Sequence, residues 1–225
     1  MTKRVRMCAI ITIVTLSCAL MAIVDGVIMP QYWIKSAVKL LLFLACPIVY
    51  SLFDREVELR ALFKPNKKGL ILAFSLCIPV FAVILCAYFL LKDVFDFSSV
   101  TSALTGNVGV SRENFLFVAL YISFVNSLLE EFFFRGFAFL SLCRVTSKGV
   151  AYVFSAVAFA LYHIAIMSGW FSIGVFIITM VGLFAGGIIF DWLNARSDNI
   201  YTSWFVHMFA NFAINIIGFM LFGMI

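Results

Sequence analysis

The chain has 225 residues, 64% hydrophobic and 12% charged. A soluble domain is about half apolar and about a quarter charged, so one soluble core cannot absorb this excess, and the bilayer is the solvent that tolerates it. The net charge of +5 is spread between apolar stretches without a single basic stripe, and no nucleic-acid-reading motif accompanies it, which argues against a nucleic-acid partner.

Apolar runs near 20 residues are long enough to cross about 30 Å of hydrocarbon. Seven follow in chain order: about Met7–Met29, Ile34–Phe53, Gly69–Leu91, Asn114–Cys143, Gly149–Ser168, Phe171–Leu193 and Ile200–Met224. Lys3, Arg4 and Arg6 precede the first run in the manner of a signal peptide. The run is long, however, and ends without a small-residue cleavage site, so it reads as a retained span. The fold class expected is an all-α, polytopic transmembrane bundle of seven spans. Residues 1–113 would hold spans 1–3 and an outer loop, and residues 114–225 a catalytic helical core.

Alternate connectors carry Lys3, Arg4 and Arg6, then Arg55, Arg60, Lys64, Lys67 and Lys68, then Arg144 and Lys148, then Arg196. The opposite connectors carry mainly Lys35, Lys92 and Arg112. The positive-inside rule then puts the N-terminus inside and the C-terminus outside. Trp33, Trp170, Trp192 and Trp204 fall near the ends of runs, where amphipathic rings favour the headgroup region. Gly182 and Gly186 form a GxxxG that would permit close helix approach. The polar stretch Lys92–Glu113 reads as an outer loop, with room for a short interfacial helix. The six cysteines (Cys8, Cys18, Cys46, Cys77, Cys86 and Cys143) form no CxxC pair and argue against a disulfide framework or thiolate metal site.

Ionisable groups inside spans are costly and mark interior partners or cavities. Glu130, Glu131 and Arg135 lie well inside the fourth run. Glu130 is 13 residues before Cys143, roughly 20 Å along a helix rising about 1.5 Å per residue, which is near mid-membrane. Glu131 and Arg135, at i and i+4, share a face and could be no more than a buried ion pair. Glu130 points about 100° away, with no cation at helical spacing, so it reads as an unpaired carboxylate. The chain's two histidines, His163 and His207, both lie inside runs. Asn211 and Ser203 flank His207 at four residues on either side, giving a polar stripe of Ser203, His207 and Asn211. Phe159 and His163 share a face one run earlier.

Peptide hydrolysis needs an activated water and donors for the developing oxyanion. Glu130 would take the proton from water, with His163 helping to hold that water. His207 and the Asn211 amide would stabilise the oxyanion. Glu131 and Arg135 would orient Glu130 from behind. A metal version also fits the residue types: Glu130, His163 and His207 as zinc ligands, with Glu131 as base. The HExxH spacing of soluble zinc peptidases is absent. No GxSxG elbow or GxSG dyad precedes a serine. Asp25 and Asp191, the only candidates for an aspartyl protease pair, both lie near the ends of their runs.

Glu130-Glu131-x-x-x-Arg135, Phe159-x-x-x-His163 and His207-x-x-x-Asn211, in this order and with Ser203 ahead of the third, resemble the three motifs of the CPBP family. These are the CAAX proteases and bacteriocin-processing enzymes, also called the Abi family. The resemblance covers roughly Asn114–Phe222, is of the bacterial type, and departs at none of the motif positions. Eight-span members exist in the family. It implies a glutamate-dependent intramembrane endopeptidase with a cavity open to the cytosol, no cofactor in one version and zinc in the other. It implies that Glu130 and His163 activate water and that His207 and Asn211 form the oxyanion site. The expected setting is the cell membrane, with lipids and a membrane-associated peptide or protein as partners. Two other readings use the same residues: a non-catalytic scaffold or bacteriocin-immunity factor, and a proton-coupled transporter. An unpaired Glu130 argues against the scaffold, and the lack of internal repeats against the transporter.

Overall fold

The computed structural model describes residues 1–167 and 169–225, and every side chain among them except those at 98, 99, 107 and 108. Among the described residues it is helical, without strands. Seven helices of the described residues are long and apolar enough to cross a membrane: α1 (Lys3–Ile28), α2 (Tyr32–Phe53), α3 (Lys67–Leu91), α5 (Phe115–Cys143), α6 (Lys148–Ile166), α7 (Ile173–Ser197) and α8 (Tyr201–Leu221). The short α4 (Ser98–Val108) lies in the expected outer loop. In hydrocarbon only a helix satisfies every backbone N–H and C=O within its own segment, and these apolar stretches have no other stable form. The chain is therefore a multi-pass membrane protein.

The boundaries differ from the apolar runs by a few residues. Helices α1 and α3 begin at Lys3 and Lys67, taking in basic residues expected in connectors, because caps and not hydropathy start them. Thr2 accepts from the Val5 amide, Asn66 from Gly69, and Ser147 from Val150. Each satisfies an amide that the first helical turn leaves free. Helix α7 runs on past Leu193 to Ser197. The expected end of the fifth run, Ser168, lies outside the described residues.

The connectors at the N-terminal end of α1 are tied together. Arg6 donates to Asp54 from Nε at 2.5 Å and from Nη2 at 2.9 Å. The Ile200 amide donates to the Leu62 carbonyl, and Asn66 donates to the Ser197 carbonyl at 2.7 Å. At the opposite end Lys35 pairs with Asp25 at 3.4 Å, and Val110, Phe115 and Ala119 form a small apolar cluster with the end of α8. The main core lies between α1, α2, α5 and α6. Phe43 stacks on Phe133 with centroids 4.0 Å apart, and Phe134, Phe137 and Phe139 are fully buried.

One sequence expectation about packing is corrected. A Cβ added at Gly182 or Gly186 would meet nothing within 4 Å, so the GxxxG is not a helix contact. The close approach is one residue on, at Gly187, where a Cβ would stand 3.0 Å from the Ala156 Cα on α6. Trp204 stays near the start of α8 and also ties that helix across the bundle. Its indole N–H faces the Phe124 carbonyl at 3.2 Å and the Ser127 hydroxyl at 3.0 Å, which joins α8 to α5. The six cysteines are free thiols.

Candidate active site

The site is built on α5, where the backbone leaves ordinary α-helical geometry twice. Ile122–Asn126 and Glu131–Leu140 are π-helical, and Glu130 stands in the short α-helical piece between them. Such wide turns are uncommon and recur at functional sites, since they free carbonyls and re-aim side chains. The freed carbonyls are used here. Asn211 donates to the Ile122 carbonyl at 3.2 Å, and Asn215 donates to the Ala119 carbonyl at 3.1 Å and to Ser123 Oγ at 2.9 Å.

Of the expected residues, Glu130, Glu131 and His207 come together. His207 Nδ1 lies 2.8 Å from Glu131 Oε1, and Nε2 lies 3.7 Å from Glu130 Oε2. A carboxylate only accepts, so Nδ1 carries a proton and Nε2 faces Glu130. The ring stacks on Phe190 at 5.2 Å and meets Phe159 edge-on at 6.0 Å, which fixes its plane. Glu131 therefore orients His207, whereas the sequence pointed it at Glu130. His163, half-buried, has Nδ1 2.7 Å from the Phe159 carbonyl on its own helix. That carbonyl accepts, so Nε2 is left with its lone pair, and the ring lies within electrostatic reach of Glu130. Ser203 leaves the stripe: it accepts from Asn194 on α7 at 2.8 Å.

Arg135 is fully buried behind Glu131. Its Nε lies 3.6 Å from Glu131 Oε2 and 3.7 Å from Asp191 Oδ1, ion-pair distances beyond hydrogen-bond range. The guanidinium lies over the rings of Phe159 at 4.0 Å and Phe190 at 5.1 Å, where a desolvated cation gains about 2 kcal/mol or more. Asp191 also faces the Ser155 hydroxyl at 2.9 Å.

Two residues of this network were missed from the sequence. Asp191 was set aside as a span-end residue, yet it is wholly buried against Arg135. The reading of Glu130 as unpaired is also overturned: Lys39 Nζ of α2 lies 2.6 Å from its Oε1. Asn126 Nδ2 donates to the same oxygen at 3.0 Å. The signal available for Lys39 was a lysine inside an apolar run, which calls for a buried partner. Its partner lies 91 residues away, and helical spacing cannot reach that far.

Zinc was weighed with Glu130, His163 and His207 as ligands. Among the described residues no three His, Cys, Asp or Glu side chains stand in a metal-holding group. The three expected ligands are therefore not gathered as that set requires.

The family model described as type II CAAX prenyl endopeptidase, Rce1-like, matches residues 112–213. That stretch holds α5, α6, α7 and most of α8, with Glu130, His163, Asp191, His207 and Asn211, and it leaves out Lys39. No curated protein and no solved structure matches the chain. Over this core the chain is similar to the CAAX protease and bacteriocin-processing (CPBP) family of membrane endopeptidases.

Proposed function

We propose that the protein is a CAAX-type intramembrane endopeptidase of the cell membrane, cleaving membrane-associated peptides or proteins with a glutamate-activated water. The observation that carries this reading is the meeting of Glu130 and Glu131, from α5, with His207, from α8, within a buried polar centre. Glu130 Oε2 would take the proton of a water held between it and the free Nε2 of His163. Proton transfer by a positioned side chain contributes about 10²–10⁴-fold. The attacking hydroxide makes a tetrahedral carbon whose oxygen becomes negative. His207, set between the two carboxylates, would offer Nε2–H to that oxygen when Nε2 carries a proton. Asn211 spends one amide hydrogen on the Ile122 carbonyl and keeps the second for the same task, a donation worth about 3–4 kcal/mol in comparable sites. Glu130 would then return its proton to the leaving amine.

Arg135 and Asp191 would not touch substrate. They hold the charge of Glu131 in place, and Glu131 holds the tautomer and plane of His207. Peptide hydrolysis by this set needs no cofactor, and the zinc version makes the opposite forecast under chelation.

The test is cleavage of a panel of membrane-anchored peptides, prenylated and unprenylated, by the purified protein. Wild type is compared with Glu130→Ala, each with and without a strong chelator. Cleavage lost in the variant and kept under chelation supports the reading. Cleavage abolished by chelation would replace it with a metallopeptidase. Intact cleavage by Glu130→Ala would refute the role of Glu130.

A further inference from the structure

The family match begins at residue 112, yet one charge at the centre of the site comes from α2. Lys39 Nζ lies 2.6 Å from Glu130 Oε1 and 2.6 Å from Asn126 Oδ1, and Asn126 Nδ2 closes the ring on Glu130 Oε1 at 3.0 Å. Both hydrogen bonds to the carboxylate fall on one oxygen. The other, Oε2, faces His207 Nε2 at 3.7 Å. The Lys39 side chain is 7% exposed. Its ammonium lies over the rings of Tyr162 at 4.9 Å and Phe43 at 5.4 Å, so α2, α5 and α6 all hold it.

A glutamate's last torsion is broad and roughly two-fold, so an unheld carboxylate does not choose which oxygen faces a reactant. A general base must keep its geometry within about 0.5 Å and 10–20°. We propose that Lys39, together with Asn126, is a positioning residue for the reaction: it fixes Glu130 Oε1 so that Oε2 meets the water, and α2 thereby completes the active site. This rests on the reading of Glu130 as the base. Other polar groups near Glu130 include Glu131 on its own helix, His163 and Tyr162 on α6, His207 on α8, and Asp25 and Tyr32 from α1 and α2. None of them binds Oε1, so none replaces Lys39.

The experiment compares the full-length wild type with Lys39→Met, Lys39→Arg, Asn126→Leu and Glu130→Gln on one cleaved peptide, reading kcat, KM and thermal unfolding. Misplacing a reacting group by about 1 Å costs on the order of 10²-fold. Lys39→Met is therefore expected to lower kcat about 100-fold with KM little changed. Asn126→Leu is expected to lower kcat about tenfold, by the same loss of alignment. Lys39→Arg should recover part of what Lys39→Met loses, since the cation returns. A folded Lys39→Met with wild-type kcat would overturn the proposal. Should that variant not fold, an Asn126→Leu protein with wild-type kcat would do the same. Glu130→Gln separates the two levels. If it keeps full activity, the base reading falls and takes this role with it. If it is inactive while Lys39→Met is fully active, only the positioning role falls.

Discussion

Arg135 sits wholly buried between Glu131 and Asp191, with Phe159 and Phe190 against its guanidinium. Removing one member of a buried ion network leaves uncompensated charge and costs about 3–5 kcal/mol. Arg135→Ala should therefore lose folded yield as well as activity, read by size-exclusion profile and unfolding midpoint. A normally folded, fully active Arg135→Ala protein would contradict the role given to it. The pairing of Arg135 with Glu131 was legible, because both lie on one helix four residues apart. Asp191 and Lys39 were not, because their partners lie on other helices and no local spacing announces them. The histidines and Asn211 were legible as polar groups inside apolar runs. Their hydrogen bonds to Glu131 and to the Ile122 carbonyl depend on how α5 and α8 pack, and those were not.

Each transmembrane helix could be found from length and apolarity, but helix contacts could not. Gly182 and Gly186 match a common packing pattern and face open space, whereas Gly187 lies against Ala156. Forcing extra methylenes into a close-packed contact costs about 1–3 kcal/mol. Gly187→Leu should therefore lower the unfolding midpoint in detergent, and Gly182→Ala and Gly186→Ala should leave it nearly unchanged. Equal effects at all three glycines would refute the assignment of the α6–α7 contact. The π-helical turns of α5 were likewise invisible in the sequence, where a 3.6-residue period was assumed throughout. The wide turns free the carbonyls that Asn211 and Trp204 reach, so the sequence's polar stripe on α8 divides between α5 and α7.

At the scale of the molecule, the basic connectors meet at one end of the bundle, where Arg6 pairs with Asp54. The Arg6 guanidinium holds the Asp54 carboxyl below its ordinary value of 3.8. A group depressed on folding stabilises above its unfolded value, and that contribution is lost as pH falls through the folded one. Wild-type stability should therefore decline below about pH 4, and Asp54→Asn should be less stable at neutral pH and decline less in acid. Identical pH profiles for the two proteins would refute the coupling. The same basic end is expected to face the cytosol. A cysteine introduced in the exposed stretch around Lys64 should react with an impermeant thiol reagent only after the cells are opened. Labelling of intact cells would reverse the orientation.

The central claim is that the Glu130 carboxylate is the base. Glu130→Gln keeps the size of the side chain and an oxygen able to accept from Lys39, but it cannot take a proton from water. Cleavage of one membrane-anchored peptide by wild type and Glu130→Gln, matched for folded protein by unfolding midpoint, tests the claim most directly. The account predicts a loss of about 10²–10⁴-fold, the range for a removed general base. A Glu130→Gln protein that cleaves within a few-fold of wild type would contradict it.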